Sequence, residues 1–205
     1  MALLYRATLT PTKLDILAAW LPTRSWFAES PGAVARVAAY RFDDPAGAVG
    51  VETLLVRRGD GPVYQVPLTY RDAPLAGGEP WLLATTEHSV LGTRWVYDAC
   101  GDPVYLTALA GAVFGRVEQA DEFVDVDGEL KRRERSMEVT GGGDGPAAGT
   151  LERVVDGDPT LIVTDTVELA LLRRLPGADA GSGATLTGTW EGQPEPLPLV
   201  YAVPR

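Results

Sequence analysis

The sequence predicts an α+β fold: a largely antiparallel sheet flanked by two or more helices, followed by a small β-rich subdomain. Three observations carry this expectation. Short apolar and β-branched segments follow one another through turns, and 23 glycines and 16 prolines punctuate the chain. Two segments, after Thr10-Pro11 and after Asp102-Pro103, change to helical spacing. A glycine-rich stretch, GGGDGPAAG at 141–149, sets the last strands apart as a flexible linker or long loop.

The elements follow in order. Thr10 is placed to cap the first helix and Pro11 to occupy its first position. Leu14, Leu17, Ala18 and Leu21 form the apolar stripe, and Pro22 ends it. Strands are expected at Val34–Phe42, Val49–Arg57, Val63–Tyr70, Trp81–Glu87 and Arg94–Tyr97, with Asp60-Gly61 as a hairpin turn. Asp102-Pro103 opens the second helix, with Leu106, Leu109, Ala110 and Val113 facing inward and Gly115 as the stop. Glu122 to Val139 reads as one hairpin turning at Asp127-Gly128. Further strands are expected at Leu151–Val155, Thr160–Val163, Thr166–Leu175 and Ala184–Trp190. The closing PEPLPLVYAVPR is excluded as a central strand because prolines interrupt a ladder.

A net charge of −10 argues against binding to nucleic acid or an anionic membrane surface. One cysteine, Cys100, excludes an internal disulfide and fits a reducing cytoplasm. The opening MALLYRATLTPTKLD turns polar too soon for a signal peptide. These points give a cytoplasmic expectation.

No catalytic constellation emerges from the residues. His88 reads as a strand-end histidine, and Cys100 as a small buried apolar residue. Asp121, Glu122, Asp125, Asp127 and Glu129 lack the glycine that a calcium loop needs at its sixth position. They read instead as the partner face of Lys131, Arg132, Arg133 and Arg135 across a hairpin. That pairing also weakens a phosphate role for the basic run. GGGDG has no following Lys-Ser or Lys-Thr, so it is no phosphate loop. Trp20, Trp26, Trp81, Trp95 and Trp190 read mainly as core. The sequence therefore implies no catalytic residue, no cofactor and no metal.

AAWLPTRSWF, Ala18 to Phe27, resembles the opening of actinobacterial maltokinases, whose N-terminal cap carries Trp-Leu-Pro-x-x-Arg-Trp-aromatic. Ser25 is an extra residue between Arg24 and Trp26. WVYDACGDPVYLTALAGAV, Trp95 to Val113, is similar to that family's strand-to-helix passage. ELALLRRLPG, Glu168 to Gly177, resembles a strand of its intermediate subdomain, Leu-Lys-x-Phe-Arg-Arg-Leu before a Pro-Gly turn. The family position of the phosphate-binding lysine then falls on Ala170. No His-Gly-Asp or His-x-Asp segment occurs.

The resemblance implies a cap-like domain over 1–140, a linker or loop at 141–149, and a small β-rich subdomain over 150–205 resembling part of a kinase N-lobe. It implies a non-catalytic interaction or regulatory module in maltose, trehalose and α-glucan (glycogen) metabolism. The implied partners are a sugar kinase, a trehalose synthase or another α-glucan enzyme. The alternative is a small-ligand domain for a sugar. Trp20, Arg24 and Trp26 are the candidate partner or sugar contacts, and Arg173 and Arg174 are expected as a charged strand end.

Overall fold

The computed structural model describes residues 2–4, 7–126, 128–177 and 183–205. In chain order it has β1 (Ala2–Leu4), β2 (Leu9–Thr10), α1 (Lys13–Trp20), β3 (Val34–Phe42), β4 (Gly50–Arg58), β5 (Val63–Arg71), β6 (Leu82–His88) and β7 (Gly92–Asp98). Then follow α2 (Pro103–Val113), β8 (Glu122–Val126), β9 (Glu129–Arg132), β10 (Met137–Thr140), β11 (Leu151–Val155), β12 (Thr160–Thr164), β13 (Val167–Leu171), β14 (Arg174–Leu175), β15 (Ala184–Trp190) and β16 (Gln193–Pro204). Strands make up 47% and helices 15%. The expected antiparallel sheet is present, and the described residues are mainly β, with curled sheets and two short α-helices.

A seven-stranded antiparallel sheet runs β2-β6-β7-β5-β4-β3, with β14 added to β5. A six-stranded antiparallel sheet runs β10-β15-β16-β13-β12-β11. A small sheet pairs β1 parallel to β8, and β8 antiparallel to β9. The larger core lies between the two main sheets and α2. Tyr40, Leu55 and Val63 meet Ile162, Leu169 and Val200 there, with Leu106, Leu109 and Val113 of α2. A second core forms on the opposite face of the seven-stranded sheet, where Ile16, Leu17 and Leu21 cover Leu54, Val56, Val66 and Val96. Both faces of β4 and β5 are thus covered, which accounts for their nearly unbroken runs of buried residues, the polar Glu52, Thr53, Gln65 and Thr69 among them.

Local chemistry sets the helix ends. Asp15 and Thr12 form a capping box, so α1 starts after Thr12 and not at Thr10-Pro11. Reciprocal bonds outcompete a proline start, and Thr10 is left as the end of β2. Asp102 caps α2 as expected, accepting from the Val104 N–H. It also accepts from Thr69 Oγ1 and from Nε and Nη2 of Arg71, which anchors α2 to β5.

Three expectations are corrected. β16 is a central strand of its sheet. Its ladder with β13 covers only Val200–Pro204. Pro194, Pro196 and Pro198 precede it, where β15 is the neighbour and two register shifts relax the pairing. The Glu122–Val139 hairpin closes at β9, and β10 leaves to pair with β15. Asp127, half of its expected turn, lies outside the described residues. The Thr166–Leu175 strand breaks at Leu172-Arg173, and β14 crosses to the other sheet. The 141–149 stretch has no regular structure, and Arg116 donates to the Gly145 and Pro146 carbonyls within it.

Candidate functional site

Pro22 turns the chain into a single 3₁₀ turn after α1. That turn brings Trp20 and Trp26 edge to face at 5.8 Å. The Arg24 guanidinium lies over the Trp20 ring at 5.2 Å. Asp156, in the β11–β12 connection, accepts from Trp26 Nε1 at 2.8 Å and from Arg24 Nη1 at 3.3 Å. The three candidate residues are therefore neighbours, and a carboxylate 130 residues away in sequence from Trp26 ties them to the six-stranded sheet. Arg24 and Asp156 keep about a third of their side chains exposed.

Residues 20–102 are matched by the family model described as maltokinase N-terminal cap domain. This region resembles a maltokinase cap. No curated protein matches the chain. A solved structure described as glucosamine kinase in complex with glucosamine, ADP and inorganic phosphate superposes on 96% of this chain, with a TM-score of 0.50 at 16% identity. That likeness is one of fold. The chain spans 41% of that kinase's length.

The matched stretch ends at Asp102, and residues beyond it complete its interior. Arg173 is fully buried. Its Nη2 lies 2.6 Å from Asp98 Oδ2 and 3.3 Å from Cys100 Sγ, and its Nε donates to Thr160 Oγ1 at 2.8 Å. Its guanidinium also lies 5.0 Å from the Trp26 ring centroid. Burial works against the charge, but its polar neighbours together, the Asp98 carboxylate foremost, outweigh it and hold the guanidinium's pKa above its ordinary value. The expected charged strand end is thus one buried and one exposed arginine. The break after β13 turns Arg173 inward, and Arg174 remains on the surface.

Gln65, also fully buried, extends this seam. Its side chain donates to the Leu172 and Leu199 carbonyls and accepts from Tyr40 Oη. Burial raises the Cys100 thiol well above its usual pKa, so it stays protonated. His88 ends β6, and its Nδ1 accepts from the Val90 and Leu91 N–H groups. Asp121 pairs with Arg132 and Arg135, and Glu122 with Arg133, across the β8–β9 region. All five tryptophans are half-buried, and Trp20, Trp26 and Trp190 pack against the cores. Among the described residues no cluster of His, Cys, Asp and Glu is placed to hold a metal ion. Among the described residues no helix is long and apolar enough to cross a membrane.

Ala170 sits in β13, paired with Leu161 and Tyr201 and packed against the larger core. Trp20 has a further neighbourhood. Together with Pro11, Asp15, Ile16, Ala19 and Thr23 it forms one wall of an open groove of about 360 Å³, with Leu83 and Ala84 of β6 opposite. Asp98, Asp156 and Arg173 were missed as site residues by sequence reasoning. Only Asp98 had a signal, its place in the family-like Tyr-Asp-Ala segment.

Proposed function

We propose that this chain acts as a non-catalytic interaction or regulatory module in maltose, trehalose and α-glucan metabolism. The match to the maltokinase cap over 20–102 supports the metabolic setting. The observation that carries the non-catalytic reading is Ala170, a packed methyl at the position where the resembled kinase strand presents its phosphate-binding lysine. The candidate contacts fit the same reading. Arg24 and Trp26 spend their polar groups on Asp156, within the molecule. The module's partner in this reading is a sugar kinase, a trehalose synthase or another α-glucan enzyme. Residues 1–140 form the cap-like part and 150–205 the N-lobe-like part.

Titration with ATP and Mg²⁺, followed by calorimetry, tests the reading. No Mg²⁺-dependent binding is expected, and micromolar affinity would overturn it. Sedimentation of the chain mixed with each candidate enzyme supplies the positive half. A complex with one of them is expected. Melting curves with maltose, trehalose and glucosamine separate the sugar-binding alternative, which predicts a rise for one of them.

A further inference from the structure

The seven-stranded sheet has an incomplete margin at β6. On its outer side β2 pairs only with Glu87 and His88. From Leu82 to Thr85 β6 has β7 on its inner side and, among the described residues, no strand on its outer side. An uncovered strand margin presents backbone N–H and C=O groups to whatever arrives. The open groove lies along this stretch, with α1 as its other wall. Ile16, Ala19 and Trp20 recur at helical spacing on that wall and give it an apolar face. Leu82, at the start of the open margin, is 40% exposed.

A free strand margin facing an apolar helix wall suits an extended polypeptide. Main-chain bonds to the strand supply affinity, and alternate side chains enter the groove. A saccharide needs several convergent polar groups, and the polar side chains of the lining are few: the Trp20 indole N–H, Asp15, which accepts from Thr12, and Thr23, whose hydroxyl donates to the Trp20 carbonyl. Charge narrows the occupant further. Asp15 is the one ionised residue in the lining, and no cation lines the groove. The nearby cations are engaged, Lys13 with Glu52 and Arg24 with Asp156. The whole chain carries −10.

We propose that the α1–β6 groove docks an extended partner segment that adds a strand to Leu82–Thr85, places an apolar side chain against Ile16, Ala19 and Trp20, and sets a Lys or Arg opposite Asp15. This rests on the interaction-module reading and names its surface.

The full chain, ¹⁵N-labelled, is titrated with the synthetic peptide acetyl-Lys-Val-Lys-Leu-Lys-Val-Lys-amide. Shifts confined to α1, β6 and the Trp20 indole are expected, with slowed amide exchange from Leu82 to Thr85. A copy N-methylated at alternate residues, which cannot complete the ladder, is expected to bind at least about tenfold more weakly. An acidic copy with Glu for Lys is expected not to bind. Ala19→Arg, on an exposed helix position, fills the groove and should abolish the shifts at an unchanged melting temperature. The inference is overturned if the N-methylated copy binds equally, if the shifts fall elsewhere, or if β6 is already protected in a dimer of this chain. Shifts of the same residues by maltose, trehalose or glucosamine, without peptide binding, would also overturn it. An α-glucan enzyme still held by Ala19→Arg would remove this surface and leave the interaction-module reading standing.

Discussion

Arg173 Nη2 stands 2.6 Å from Asp98 Oδ2, and neither side chain reaches solvent appreciably. One residue follows a strand of the six-stranded sheet and the other ends a strand of the seven-stranded sheet. The ion pair is therefore a joint between the two layers. Removing one member strands a buried charge, so Arg173→Met is expected to cost about 3–5 kcal/mol. The double variant Arg173→Met with Asp98→Leu should lose much less, because no lone charge remains. Urea unfolding of the three proteins checks this. Equal losses in the single and double variants would show that the cost is one of shape and not charge.

Glu52 gives a pH signature. It is buried, which alone would raise its pKa, but Lys13 and Arg41 hold it down at about 2 against an ordinary value of 4.5. A depressed carboxylate stabilises the fold above the unfolded value and loses that contribution as pH falls toward the folded one. The difference in stability between the parent and Glu52→Gln should therefore be flat above about pH 5 and shrink toward pH 2, from a plateau on the order of 3 kcal/mol. A difference that grows on acidification would contradict the assignment.

Trp26→Phe keeps a ring beside Tyr64 and Arg173 but loses the bond to Asp156. The expected cost is about 1 kcal/mol. Asp156→Ala removes the same bond and the Arg24 contact. The two changes share an interaction, so the double variant should cost less than their sum by about 0.5 kcal/mol or more. Strict additivity in denaturant melts would mean that the Trp26–Asp156 bond contributes nothing.

Gly59 has φ +52, and a Cβ there would meet the Pro31 carbonyl oxygen at 1.9 Å. Gly47 has φ +68 with open space around it. Gly47→Ala should cost about 1 kcal/mol from the left-handed backbone alone. Gly59→Ala should cost well beyond that, because backbone must move. Thermal melts rank the two, and a reversed order would refute the steric account.

Residues 150–205 expressed alone are expected not to fold. That segment is small, and β10, one strand of its sheet, lies outside it, as do the α2 side chains of its core. Circular dichroism of the fragment decides the matter, and a cooperative melt would show an independent unit.

Much of the strand layout was legible because its signals are local. Val34–Phe42, Leu151–Val155 and Ala184–Trp190 coincide with β3, β11 and β15. Their β-branched runs are bounded by turn residues, and nothing distant is needed to place them. The start of α1 was misplaced by two residues because two capping signals compete and only the geometry of Thr12 with Asp15 decides. Proline content hid β16, since sequence alone does not show which part of a strand has neighbours on both sides. The Trp20, Arg24 and Trp26 turn was readable from Pro22. Its partner Asp156 was not, and the burial of Arg173 was not, because both depend on residues more than seventy positions away.

β14 consists of two residues that cross from one sheet to complete the other. During synthesis from the N-terminus, the seven-stranded sheet has all its other strands once Asp98 emerges. It must then wait for Arg173 and β14, 75 residues after Asp98, with a carboxylate unmatched and part of β5 open. The nascent chain thus carries a vulnerable interval fixed by its own topology, in which premature pairing at β5 competes with correct closure. A ribosome pause between these two points would prolong that interval, and a truncation there would make it permanent.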